Sequence, residues 1–213
     1  MIQPPFPYSL RRMTTDDIPH VIAIENESFP VPWPAKVYRN ELTRNARAHC
    51  LVLEMDASTR PAKDGKVSPA RCTGSCVGYG CFWLMEGEAR VSTLAVAPPW
   101  RCRGLGELLL LALIDEASSV GAELLALEVR VSNRVAQRLY AKYGLGIVGR
   151  HRRYYTDNGE DALIMTVELL GKAYQDRLEQ RKATLFSRLG GVVLRPLPID
   201  VCDARRTGRS PAT

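Results

Sequence analysis

Arg90-Val91-Ser92-Thr93-Leu94-Ala95-Val96-Ala97-Pro98-Pro99-Trp100-Arg101-Cys102-Arg103-Gly104-Leu105-Gly106 is the stretch on which the fold turns. Arg90–Val96 is apolar and β-branched enough to predict a strand, and Pro98-Pro99 stops it. The glycines at 104 and 106 form a turn, and the run Gly106–Val120 predicts a helix closed by Gly121. Such a turn lets backbone approach an anion, and the first N–H groups of the helix, at its positive dipole end, suit a pyrophosphate. The same Gly-x-Gly spacing also serves merely to relieve crowding between strand and helix, and the turn by itself leaves both readings open. No Gly-Lys-Ser/Thr follows, so it is not a P-loop. A dinucleotide fold lacks its third glycine and its preceding βαβ units.

On either side of this stretch, strands and helices mix. Tyr8–Met13, His49–Met55 and Val77–Met85 predict strands. Asp16 and Asp17 begin a helix running to Phe29, where the Pro30–Pro34 segment breaks it, and Ala35–Thr43 predicts a second. Downstream, Glu123–Val131 is an apolar strand and Asn133–Tyr143 a helix ended by Gly144. Ile147–Tyr155 and Ala162–Leu169 flank the turn signal Asp157-Asn158-Gly159. The order is that of a mixed α/β fold. Asp56–Ser75 is rich in Gly, Pro, Ser and Lys and reads as an insertion. A further helix covers Ala173–Arg188, and the chain beyond it reads as disordered. The expected division is a main domain over residues 1–170, with the insertion at 56–75, and a basic C-terminal extension over 171–213.

Bulk properties narrow the function. The 213 residues carry a formal net charge of +6, but residues 171–213 hold nine Lys/Arg against four Asp/Glu. That surplus of five leaves only +1 for the rest, so the body of the protein gives no sign of binding nucleic acid. Six cysteines are too sparse for a disulfide framework and are expected as reduced thiols. Cys72 and Cys76 lack the further ligands that zinc needs, so no metal is expected. The Pro-rich N-terminus has no signal-peptide core and Leu108–Ile114 is too short to span a bilayer, so the expected location is the cytoplasm.

Two side chains stand out chemically. Glu128 interrupts the apolar strand Leu124–Val129, where a carboxylate is costly unless paired or exposed. Arg130, on the same face two residues on, offers a salt bridge, which is the plain structural reading. Tyr140 lies among Val135, Ala136, Leu139 and Tyr143 and reads first as core packing. Asn133 reads as a helix N-cap.

Together the motifs resemble a known pattern. Arg101-x-x-Gly104-x-Gly106 after Thr93–Val96 looks like the coenzyme signature of the GNAT N-acetyltransferases. Leu127–Asn133, Leu139-Tyr140-x-x-Tyr143-Gly144, Arg153–Tyr155, Asn158–Met165 and the Phe29-Pro30 and Pro32-Trp33 pairs resemble the RimI-type ribosomal-protein-alanine acetyltransferases. The resemblance covers about residues 8–169. Leu145 stands where that subfamily usually has Phe, and Val31 adds a residue to its Phe-Pro-Trp stretch. The resemblance implies a mixed sheet of about seven strands flanked by about four helices, here with a C-terminal helical extension. It implies acetyl-CoA as co-substrate, with the backbone of Leu94, Ala95 and Val96 pairing with the pantetheine arm. Arg101, Cys102, Arg103, Gly104, Leu105, Gly106 and Glu107 would wrap the pyrophosphate, and Asn133 would add a contact. Glu128 becomes the general base for the attacking amine and Tyr140 the acid for the departing thiolate.

The same resemblance implies direct attack of an amine on the thioester, without a covalent enzyme intermediate. The implied acceptor is the N-terminal alanine of a small-subunit ribosomal protein, held by Phe29, Trp33, Tyr154 and Tyr155. An α-amine of pKa about 7.7–8.0 is far easier to deprotonate than a lysine near 10.4. Another protein N-terminus, a lysine or a small amine remains open as acceptor, as do a non-catalytic coenzyme-binding module and ribosome association of the basic tail.

Overall fold

A computed structural model describes residues 1–56 and 75–190; the expected insertion, apart from its ends, and the chain beyond 190 lie outside the described residues. Within the described residues seven strands form one sheet in the order β1-β2-β3-β4-β5-β7-β6. They are β1 (Tyr8–Arg12), β2 (Ala48–Met55), β3 (Ser75–Met85), β4 (Glu88–Val96), β5 (Leu124–Arg130), β6 (Gly146–Tyr155) and β7 (Glu160–Glu168). All neighbouring pairs are antiparallel except β4 and β5. Among the described residues five α-helices accompany them: α1 (Ile18–Ser28), α2 (Ala35–Arg44), α3 (Leu105–Ser119), α4 (Arg134–Lys142) and α5 (Lys172–Gly190). The chain has the fold expected of it.

Strand alternation sends side chains to two cores. On one face, Val21 and Ile24 of α1 and Tyr38 of α2 pack with Val52, Tyr79 and Ala95. On the other, Leu51, Leu53, Phe82, Leu125 and Leu127 meet the leucines of α3. There α3 comes very close to β3, because glycine stands where a side chain would be in the way. A Cβ on Gly78 would lie 2.9 Å from the Ala95 carbonyl oxygen of β4 and 2.9 Å from Leu109 Cδ1.

One expectation is corrected. Cys50 and Cys81, cross-strand partners in β2 and β3 with Cα atoms 4.1 Å apart, are joined as a disulfide rather than reduced. The sequence could not reveal this, because 31 residues separate them and only the register brings them together. The C-terminal extension packs on the rest of the protein over its helical part. Tyr174, Leu178, Leu185 and Leu189 of α5 belong to the main core. A signal for this was present: α3 is apolar nearly all round, and Leu105, Leu108–Ile114 and Ala117 are all buried. A helix of that kind needs cover on its outer side as well as from the sheet.

Gly78→Ala should lower the free energy of unfolding by roughly 1–3 kcal/mol, since the carbonyl it meets is backbone and cannot swing aside. Urea denaturation of the purified variant measures this, and an unchanged midpoint would show that α3 can back away from the sheet.

Candidate active site

β4 and β5 pair in parallel only from Glu88↔Leu124 to Val91↔Leu127. Beyond that point each strand keeps its outer neighbour: Thr93–Val96 stay bonded to β3, and Glu128–Arg130 to β7. Between them the sheet opens. A β-bulge begins the parting, with Val91 and Thr93 opposite consecutive residues of β3 and Ser92 left over. The wedge leaves β4 backbone beyond Val91 unpaired on its β5 side among the described residues, ready to pair with a linear amide-bearing chain. The opening lies at the carboxyl ends of two parallel strands, where α/β sheets commonly take ligands.

A cleft of about 1240 Å³ occupies this opening. Leu94, Glu128, Asn133 and Tyr140 line it, and so do Phe29, Trp33, Tyr154 and Tyr155 toward its mouth. Ala95 and Val96 are buried in the strand behind it. The turn 101–107 is not part of this wall. It stands after β4 at the start of α3, where Gly104 takes a left-handed conformation (φ 86°) and serves as the N-cap. Leu105 is fully buried and the Glu107 carboxylate turns inward, so this turn offers mainly backbone N–H groups, those of the first helical turn lacking intrahelical acceptors. Arg101 braces it: Nε donates to the Val96 carbonyl at 2.9 Å and Nη2 to Ser28 Oγ at 2.8 Å.

The Glu128 side chain is 10% exposed, and its Oε1 accepts from Arg90 Nη1 at 2.5 Å. Arg130, the partner suggested by sequence, is engaged elsewhere. It donates to Asp157 at 2.8 Å and to Glu160 at 3.3 Å, and its guanidinium lies 3.7 Å from the Tyr155 ring centre. Those contacts bind the β6–β7 hairpin to β5 and set the Tyr155 ring in the wall. Arg90, which sequence reading passed over, crosses from β4 to β5 where pairing ends, and also meets Glu88 at 2.9 Å. The register across two strands brings this pair together, and no local pattern reveals it.

Tyr140 packs against the main core and lines the cleft. Burial, with Tyr155 nearby as a lesser cause, pushes its phenol up to about 12, and burial pushes Tyr155 to about 12 as well. Both are therefore protonated at any working pH. Asn133 caps α4, its side chain accepting from the Ala136 N–H at 3.1 Å. Trp33 stacks on Trp83, with ring centres 6.4 Å apart, and both line the cleft mouth. The Trp33 N–H donates to Glu25 at 2.9 Å and Tyr38 donates to the other carboxylate oxygen at 2.9 Å. Glu25 is buried and burial raises its pKa. Glu25, Trp83 and Arg90 complete the site beyond the residues singled out in sequence. Among the described residues no group of three or more His, Cys, Asp or Glu converges.

The acetyltransferase (GNAT) family model matches residues 18–145. The chain belongs to the GNAT acetyltransferase family. Among relatives, a putative [ribosomal protein bS18]-alanine N-acetyltransferase of Bacillus subtilis (strain 168) is 38% identical over 161 residues, covering 76% of this chain and 95% of that protein. The [ribosomal protein bS18]-alanine N-acetyltransferase of Escherichia coli (strain K12) is 30% identical over 76% of this chain and 97% of its own length. The crystal structure of the ribosomal-protein-S18-alanine N-acetyltransferase from Escherichia coli superposes with a TM-score of 0.62 at 28% identity, over 78% of this chain and 97% of that one. The fold is also that of Arabidopsis thaliana NAA60 solved with acetyl-CoA, at TM-score 0.64 and 16% identity, over 77% of this chain and 99% of that one. This GNAT protein is an acetyl-CoA-dependent N-acetyltransferase.

In this acetyltransferase, Arg90→Met should lower kcat/KM about tenfold or more, because the carboxylate loses the partner that fixes it in the cleft. Arg90→Lys should retain most of the rate. Steady-state kinetics of the two variants test this, and equal losses would mean that charge at position 90 does not matter.

A second prediction concerns acid stability. Burial acts to raise the Glu107 pKa, but hydrogen bonds from Lys142, Arg188 and Tyr143 outweigh it, and the net direction is downward. A lowered carboxylate stabilises the fold above the ordinary value of 4.5, and that contribution is lost as pH falls below it. Glu107→Gln should therefore flatten the loss of stability between about pH 5 and pH 3. Thermal melts across that range would reveal an unaltered slope if Glu107 were irrelevant.

Proposed function

We propose that this acetyltransferase moves the acetyl group of acetyl-CoA to a protein N-terminal α-amine, that of the N-terminal alanine of a small-subunit ribosomal protein, in the cytoplasm. The observation that carries the reading is a single cleft that runs from the unpaired edge of β4 to an aromatic mouth and holds both Glu128 and Tyr140. The functions named for the relatives from Bacillus subtilis and Escherichia coli, each aligned over three-quarters of this chain, support the choice of acceptor.

In this reading the thioester lies in the wedge, its pantetheine arm bonded to β4 backbone around Leu94–Val96, and the pyrophosphate lies on N–H groups of the 101–107 turn. The acceptor enters past Phe29, Trp33, Tyr154 and Tyr155. Glu128, directly or through a water, takes a proton from the ammonium, and the free amine attacks the thioester carbonyl. A strand N–H stabilises the developing oxyanion. As the carbon–sulfur bond breaks, Tyr140 donates its proton to the coenzyme sulfur, and the second proton released by the attacking nitrogen returns through water to restore the phenol. A phenol near 12 is a weaker acid than an ordinary thiol near 8.5 by three to four decades. The transfer therefore runs with bond cleavage, as the thiolate forms in the same water-poor cleft and cannot be solvated otherwise.

The preference for an α-amine follows from proton affinity: near neutral pH an N-terminal amine is already partly free, while lysine must give up about 2–3 more units. Glu128→Gln should cut turnover about 100-fold and Tyr140→Phe about 10- to 100-fold, within the range of general acid–base contributions. Mass spectrometry of peptides beginning with Ala, each carrying an internal Lys, should locate the acetyl group on the α-nitrogen. Acetylation on the lysine, or of free small amines in preference to peptides, would overturn the acceptor. Undiminished turnover by Glu128→Gln would overturn the base.

A further inference from the structure

The Gly-rich turn holds a contradiction in charge. Glu107 sits in the first turn of α3, three residues after Gly104, where a helix start favours negative charge but where a pyrophosphate would also have to sit. Two anions competing for one helix start repel. The carboxylate is buried and held by three donors: Lys142 of α4, Tyr143 at 2.9 Å, and Arg188 Nη2 at 2.7 Å. Two cations against one anion leave this corner positive. One of those cations comes from α5, which lies beyond the family match at 18–145.

Arg188 touches the turn itself as well. A Cβ on Gly104 would lie 3.0 Å from Arg188 Nη2 and 3.4 Å from Leu185 Cδ1. Gly104 is required by its left-handed backbone, and the guanidinium of α5 packs over it. The position of α5 is fixed independently, by Tyr174, Leu178, Leu185 and Leu189 in the main core and by the Tyr174 hydroxyl donating to the Tyr143 carbonyl at 3.3 Å. The Arg188 side chain remains 52% exposed while holding Glu107, so its guanidinium spans from the buried carboxylate to the surface beside the turn.

We propose that Arg188, carried by the C-terminal helix α5, is a positioning residue of the coenzyme site, screening the Glu107 carboxylate from the coenzyme phosphates and bracing the turn at Gly104. This rests on the reading that the 101–107 turn holds the pyrophosphate. It gives α5 a task in the reaction: the catalytic unit extends to residue 190, and coenzyme affinity depends on it.

The test is the affinity of the full-length protein for coenzyme A by calorimetry, and its KM for acetyl-CoA and for S-acetyl-pantetheine, which lacks the pyrophosphate. Arg188→Met should weaken coenzyme A about tenfold at low salt, the scale of one charge contact at a protein surface. The defect should fall on KM for acetyl-CoA rather than on kcat, spare S-acetyl-pantetheine, and shrink in about 0.5 M salt. Arg188→Lys, which keeps the charge and guards against a folding defect in the Met variant, should retain most of the affinity. The deciding variant is Glu107→Gln with Arg188→Met, which removes both charges and should regain most of what Arg188→Met lost. If Arg188 merely packs, the double variant will be no tighter than Arg188→Met, and the proposal is overturned. It is equally overturned if Arg188→Met binds coenzyme A like the wild type. A wild-type protein that uses S-acetyl-pantetheine as well as acetyl-CoA would refute the pyrophosphate reading of the turn, and this proposal with it.

Discussion

The cleft depends on hydrogen bonds that β4 and β5 do not make. Four residue pairs hold the strands in parallel, and after Val91 and Leu127 they part. Unpaired backbone inside a protein is costly, so such an opening persists only where the neighbouring strands stay anchored and a ligand can supply the missing partners. Both anchors are present. β3 holds β4 through Val96, and β7 holds β5 through Arg130. Gly78 contributes to the first anchor by letting the Ala95 carbonyl approach, and Arg130 to the second by tying the β6–β7 hairpin to β5.

The parting also sets the electrostatics. Glu128 is the first residue of β5 past the last paired position, so its carboxylate enters the gap rather than a packed strand interface. Arg90, next to the last paired residue of β4, reaches across to it. The ion pair sits at the apex of the wedge and links its two edges. Beside the cleft, the buried Glu25 fixes the backbone of Trp33 and the Tyr38 hydroxyl, so the loop after α1 is held from inside the protein while its aromatic rings line the cleft. Glu107 is buried like Glu25, and it connects α3, α4 and α5 beneath the Gly-rich turn. Glu25 and Glu107 are costly charges, each made tolerable by more than one donor.

Much of the fold was legible because strands and helices here obey strong local rules. The Pro98-Pro99 stop, the glycines at 104, 121 and 144, and the Asn133 cap mark element ends through backbone geometry, which the residue itself carries. The strands and helices read from sequence lie within about two residues of those observed, the usual scatter of such boundaries. The motifs around Arg101–Gly106, Glu128 and Tyr140 were legible as a resemblance. Chemistry alone would have left Glu128 as a salt-bridged surface carboxylate and Tyr140 as a core aromatic.

Sequence by itself determined the element order, the family, the coenzyme and the residues to suspect, because each rests on local backbone preference or on a short ordered motif. Tertiary structure alone decided who partners whom. Glu128 pairs with Arg90 and not Arg130, Cys50 meets Cys81, Trp83 joins Trp33, and α5 closes over the start of α3. These contacts span from 31 to 81 residues of chain. Their energies depend on register, burial and the distance between charges, and none of these exists until the sheet has formed.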